Sequence, residues 1–211
     1  YKELCSVAVD PAWDSLRKQQ AAEEELRRKS NYFCLVAKGK ETQGKLVDAF
    51  ENYLEFGSLT GNKELVSVID QPNTFARPDV WARGRINYML DKATPEQRKP
   101  LEAKAMSQWE EVKKSGDLEK LRGFVRVFGN RFAAGNEARL MLAEKLMATN
   151  NEDDLRDAEN ILLDLKALDE PNYAAKGVDA LARLYIRKGL LDDAMGLYAE
   201  LNALYPKVTV R

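Results

Sequence analysis

Small or apolar residues recur at Leu121, Ala158 and Ala194, 37 and 36 positions apart, each inside a segment whose apolar residues follow the helical period. A fixed spacing close to the roughly 34 residues of a helix-turn-helix repeat constrains a chain to a stack of helix pairs, because one pair cannot bury its own apolar face and needs the next. The clearest pair lies between Pro171 and Pro206. Val178, Leu181, Ala182 and Tyr185 define one helix face, Gly189 breaks it, and Leu191, Ala194, Leu197, Tyr198, Leu201 and Tyr205 define the next. A second pair joins Ala138, Leu142, Ala143 and Leu146 to Leu155, Ala158, Ile161, Leu162 and Leu165 through a polar NNEDD loop. A weaker third joins Ala105, Trp109 and Val112 to Leu118, Leu121, Val125 and Phe128, with Asp117 suited to cap its second helix.

Toward the N-terminus the period is distorted. Leu46, Ala49, Phe50, Tyr53 and Leu54 predict a helix ending at Gly57, RPDVWARGRINYML predicts another, and Thr94-Pro95-Glu96-Gln97 reads as a capping box with proline at the first helical position. Pro100 lies too deep for a straight helix begun at Pro95 and predicts a kink or a restart. Residues 11 to 37, after Asp10-Pro11, read as helical. Only the tail KVTVR alternates like a strand, with no partner strand in view. The expected architecture is all-α: a right-handed α-solenoid of antiparallel helix pairs, with 1–94 irregular, 95–206 holding about three pairs and 207–211 a strand-like tail, all in one domain. The start at YKELCSVAVD, without methionine or signal sequence, reads as the interior of a longer protein.

Composition narrows the chemistry. The chain has 33 basic and 34 acidic side chains, a net charge of -1, so no global field draws it to nucleic acid. It contains 0 histidines, and so lacks the commonest general base and imidazole metal ligand, which argues against an enzyme. Cys5 and Cys34 form neither a CxxC pair nor a zinc quartet and read as buried small hydrophobes; sequence does not fix their separation, so a disulfide and the redox compartment stay open. No apolar run approaches the roughly 20 residues of a membrane span. Glu152, Asp153 and Asp154 lack the spacing and central glycine of an EF-hand loop and suit the start of a helix instead. No metal and no cofactor are expected.

Leu181, Ala182, Tyr185, Gly189, Ala194, Tyr198 and Pro206 stand at the spacing of the tetratricopeptide motif, which the C-terminal half of the chain resembles closely and the rest loosely. RPDVWARGRIN, TPEQRKPLE, SGDLEKLRGFVRVFG and EARLMLAEKL also resemble the α-solenoid region of large bacterial proteins in which such a segment adjoins a pyrroloquinoline-quinone-like β-propeller, some of them membrane-coat-like. In those proteins a propeller strand follows a motif like YPKVTVR. The resemblance implies a non-catalytic scaffold and protein-interaction solenoid. Its implied partners are a flanking propeller in the parent chain, other scaffold subunits or peptides, with peripheral membrane association, periplasmic or cytoplasmic, in a bacterium. The alternatives are an accessory domain of a quinone-dependent propeller enzyme and a peptide-binding adaptor.

A tetratricopeptide stack binds partners on the face formed by the first helix of each pair. Projecting the motif places Lys176, Asp179, Arg183 and Arg187 there, with Glu137 and Glu144 one repeat earlier; an ordinary solvated face is the competing reading. Asp179 and Arg183 stand where carboxylate-gripping repeats carry lysine and asparagine, which argues against such a clamp. Arg77, Arg83 and Arg85 beside Trp81 offer a basic, aromatic surface for an anionic group, against which stands a core tryptophan with paired or solvated arginines.

Overall fold

Local chemistry sets where each helix begins. In the computed structural model, which describes residues 2–59, 65–67, 74–129 and 132–210, the Asp14 carboxylate accepts from the Arg17 amide at 2.8 Å and caps α1, Ser15–Thr42. The helix starts later than Asp10-Pro11 suggests. Asp10 accepts instead from the Ala12 amide at 2.8 Å and, through its carbonyl, from Trp13 at 3.1 Å, a local turn that competes with helix initiation. It also continues past 37, ending just before Gly44, whose φ of 73° suits a residue without Cβ.

Two further helices, α2 (Leu46–Gly57) and α3 (Pro78–Lys92), fall where the periodicity predicts. Between them β1 (Val66–Ser67) and β2 (Phe75–Ala76) pair antiparallel, Val66 opposite Ala76, a ladder too short to leave an alternating pattern in the sequence. The rest of the connection between α2 and α3, 60–64 and 68–73, lies outside the described residues. Thr94 and Gln97 then form the expected reciprocal box, Thr94 amide to Gln97 Oε1 at 2.9 Å and Gln97 amide to Thr94 Oγ1 at 3.4 Å. From it α4 runs Pro95–Ser115 as a single element with no restart at Pro100. The bond that Pro100 cannot make is the one to the Glu96 carbonyl, on an exposed first turn, where water can take the donor's place.

The C-terminal helices are α5 (Leu118–Phe128), α6 (Ala133–Met147), α7 (Glu152–Lys166), α8 (Pro171–Arg187) and α9 (Leu191–Leu204). Asp117 caps α5 as predicted, accepting from the Glu119 and Lys120 amides at 2.8 and 3.1 Å. Asn151 caps α7, so Glu152, Asp153 and Asp154 occupy its first turn, where the helix dipole favours acids. The strand-like tail does not form a strand: Val208 closes a turn onto the Tyr205 carbonyl at 3.1 Å, and 207–210 have no edge to pair with. Arg211 lies outside the described residues. Among the described residues no helix is long and apolar enough to cross a membrane.

The helices gather into two compact units, Tyr1–Ala105 and Met106–Arg211, with the division falling inside α4. In the first, α2 packs between α1 and α3 around Phe33, Phe50, Tyr53, Phe56 and Ile86, while Cys34 within α1 and Cys5, whose thiol donates to the Arg28 carbonyl of α1, are buried thiols. In the second, α5 to α9 pack in chain order and α6 additionally meets α8. Its core contains Trp109, Leu121, Leu146, Leu162, Leu165, Leu181 and Leu184, each fully buried side chain contributing about 1.5–3 kcal/mol. The Trp109 ring stands 5.4 Å from Phe124, which lies 4.5 Å from Phe128. Tyr198 and Tyr205, expected in the core, are half-buried, and Leu191 is 58% exposed.

Candidate interaction surfaces

In the unit Met106–Arg211, three of the six residues predicted on the first-helix face, Glu144, Asp179 and Arg183, meet one another, while Glu137 and Arg187 are taken up by other partners. Glu137 on α6 accepts from the Trp109 indole at 2.9 Å and the Lys113 ammonium at 2.6 Å, both on α4. Burial pushes its carboxyl up, but these two donors, with the charge of Lys176 on α8, outweigh that and hold it below the usual carboxylate range. Glu137 in turn raises Lys113. On α8, Arg183 pairs with Asp179 at 3.0 Å and reaches across to Glu144 of α6 at 3.4 Å. Arg187 donates to the Met147 carbonyl, to the Thr149 carbonyl at 2.7 Å and to Asn150 Oδ1 at 2.9 Å, closing the C-terminal end of α6 where helix carbonyls lack partners. Charges predicted to face a ligand thus bind α4 to α6 and α6 to α8.

The opposite set of helices is linked in the same way. Arg122 of α5 pairs with Asp154 of α7 at 2.7 Å and with Asp157 at 3.4 Å, and Lys166 of α7 pairs with Glu200 of α9 at 2.6 Å. These links, and the buried Arg139 that joins Asp164 at 3.0 Å and the Gly129 carbonyl at 3.5 Å, leave no mark in a single sequence, because their partners lie 10 to 35 residues apart in different segments. Burial lowers the Arg139 pKa against the opposing pull of Asp164.

In the unit Tyr1–Ala105 the predicted arginine-tryptophan surface resolves into separate pairs. Arg77 is bound to Asp79 at 2.7 Å. Arg85 forks onto Glu41 of α1 at 2.8 and 2.9 Å and reaches the Tyr53 hydroxyl at 3.4 Å; Tyr53 itself donates to Glu41 at 2.5 Å. Burial first, then Glu41, drives the Tyr53 phenol far above its ordinary range. Trp81 is half-buried, its ring 5.1 Å from Phe56 and 5.8 Å from Tyr53. Arg85 joins α1 to α3, and Lys104 of α4 joins Glu51 of α2 at 2.8 Å. Among the described residues there is no group of three or more His, Cys, Asp or Glu side chains disposed to hold a metal.

These elements define an all-α protein in which α1 to α3, and separately α5 to α9, pack in chain order. Compared with protein-family models, with curated proteins and with solved structures, the chain matches none significantly.

Proposed function

We propose that this chain is a non-catalytic scaffold: a tetratricopeptide-like α-solenoid whose stacked helix pairs form a stiff spacer and docking surface for other proteins. The observation that carries the proposal is the linking of alternate helices. Within Met106–Arg211, ion pairs and hydrogen bonds run from α4 to α6 to α8 and from α5 to α7 to α9, while α5 to α9 pack in chain order. Two parallel rows of alternate helices are what a stack of hairpins produces, whereas a closed bundle returns its last helix to its first. The charge on these faces is largely spent on the links, which fits stiffening better than the capture of a small charged ligand. Membership of a propeller-bearing, membrane-coat-like bacterial protein is supported by the sequence resemblance, and fold-level analogy is its warrant.

The test is truncation. A chain ending at Asp169 lacks α8 and α9; a linear stack retains α1–α7, so the truncated protein keeps its helical circular dichroism and melts cooperatively. Collapse to an unfolded chain would refute the stack. For the scaffold role, affinity capture from the source organism should return a partner protein in fixed stoichiometry, and turnover of a substrate by the purified chain would overturn it.

A further inference from the structure

A cleft of about 540 Å³ lies between α1 and the β1–β2 hairpin, lined among the described residues by one face of α1 that carries Leu26 and Ser30, and by Leu65, Val66 and Phe75 across from it. Its lining is mostly apolar, and Ser30 is the exception that bears on a ligand. Ser30 is 2% exposed, and its hydroxyl has no hydrogen-bond partner. A serine inside a helix can bond to the carbonyl four residues back, and a buried polar group left without any partner is costly, so this hydroxyl is open to a group from outside the chain. The charges on the lining are already taken: Arg27 pairs with Glu24 at 2.7 Å, and Glu23 accepts from the Gln19 side-chain amide at 2.9 Å. A charged group entering the cleft would shed its water and meet no uncommitted counter-charge on these walls. Size then selects the occupant. One turn of helix, about 11 Å across and about 5.4 Å long, fills roughly 500 Å³, so the cleft takes a single turn at most, too little to hold a docked helix. Its volume lies within the range of about 300–1,000 Å³ that small-molecule sites occupy.

We propose that this cleft binds a small neutral molecule with an apolar body and one hydroxyl or carbonyl group, which meets the Ser30 hydroxyl while the body packs against Leu26, Leu65, Val66 and Phe75. Rotation about the Ser30 Cα–Cβ bond gives the hydroxyl three staggered positions, and the bound polar group selects among them. Leu65 is 62% and Phe75 63% exposed, and the ligand covers both. The site is built from α1 and the hairpin alone, so the scaffold reading, which rests on α4 to α9, stands or falls apart from it.

The probes are 1-decanol and decanoate, alike in chain length and different in the charge of the head group, titrated into the full chain and followed by methyl NMR. Decanol is expected to shift the Leu26, Leu65 and Val66 signals and to bind roughly tenfold more tightly than decanoate, or more. Ser30→Ala should weaken decanol roughly fivefold. Phe75→Ser, which changes an exposed side chain and leaves the core intact, should weaken it as well. No shift at these methyls, equal affinity for the two probes, or a decanol affinity that Ser30→Ala leaves unchanged would each overturn the proposal. Vesicles of phosphatidylcholine should fail to sediment the chain; sedimentation that Phe75→Ser abolishes would place a bilayer surface at the cleft instead of a free molecule, and would overturn it too.

Discussion

Glu137 shows how a residue chosen from sequence as a ligand contact becomes part of the frame. It sits on α6 between an indole and an ammonium of α4, and its carboxyl is held below the ordinary range because the donors from Lys113 and Trp109 and the charge of Lys176 outweigh the cost of its burial. A depressed folded-state pKa means that the carboxylate form stabilises the fold; that contribution is complete above the unfolded carboxyl's pKa and is lost as pH falls through the folded value. Lys113, raised by the same pairing, adds stability that persists until alkaline pH. Glu137→Gln keeps an acceptor for the indole and removes the charge. Urea denaturation followed by circular dichroism should show the variant less stable than the parent at neutral pH, with the difference shrinking as pH falls through the depressed pKa of the folded Glu137 carboxyl. Because both side chains are 40% exposed, the gap is modest and added salt should narrow it. A gap that is independent of pH would mean the charge plays no part.

Two close approaches set the spacing of the helices in the C-terminal unit. A Cβ on Gly135 of α6 would stand 2.1 Å from the Phe128 carbonyl oxygen and 2.8 Å from its carbon at the end of α5, and Gly177 of α8 meets the end of α7 in the same manner. Backbone cannot swing aside as a side chain can, so Gly135→Ala forces α5 and α6 apart and should cost about 1–3 kcal/mol or more. Gly123, in α5, has nothing within 4 Å of the position its Cβ would take, and Gly123→Ala should stabilise by about 0.5–1 kcal/mol through helix propensity alone. Thermal melts of the two variants should move in opposite directions; a common direction would mean that these glycines are interchangeable. Helix positions and caps are legible in the sequence, because the Thr94–Gln97 box, Asp117 and the apolar periods are local chemistry. The start of α1 is not, because two aspartates, Asp10 and Asp14, each offer a cap and only geometry selects the second. The glycine contacts and the Glu41–Arg85 pair, 44 residues apart, were not readable, since a single sequence carries no record of which segments meet.

At the scale of the whole chain, the same rule of alternation holds in both units: Glu41–Arg85 and Glu51–Lys104 join α1 to α3 and α2 to α4, as Glu144–Arg183 and Lys166–Glu200 join α6 to α8 and α7 to α9. The 36-residue recurrence predicted neighbours of this kind, but the compact division at Ala105 could not be foreseen, because α4 reads as one uninterrupted helix across it. Where each helix depends on its near neighbours, stability is a sum of local terms and the ends are weakest. Within Met106–Arg211, α9 rests on α8, whereas α8 is held by α6, α7 and α9. Amide protection measured by hydrogen exchange should therefore rise from α9 toward α7 and α6. Leu181 is 1% exposed, so Leu181→Ala leaves a cavity costing about 2–5 kcal/mol. In a linear stack the loss of protection should concentrate in α7, α8 and α9 and leave α1, α2 and α3 at their original values. A uniform drop across all the helices would instead mark one cooperative body, in which distant pairs unfold together and the links between alternate helices do not divide the chain into local steps.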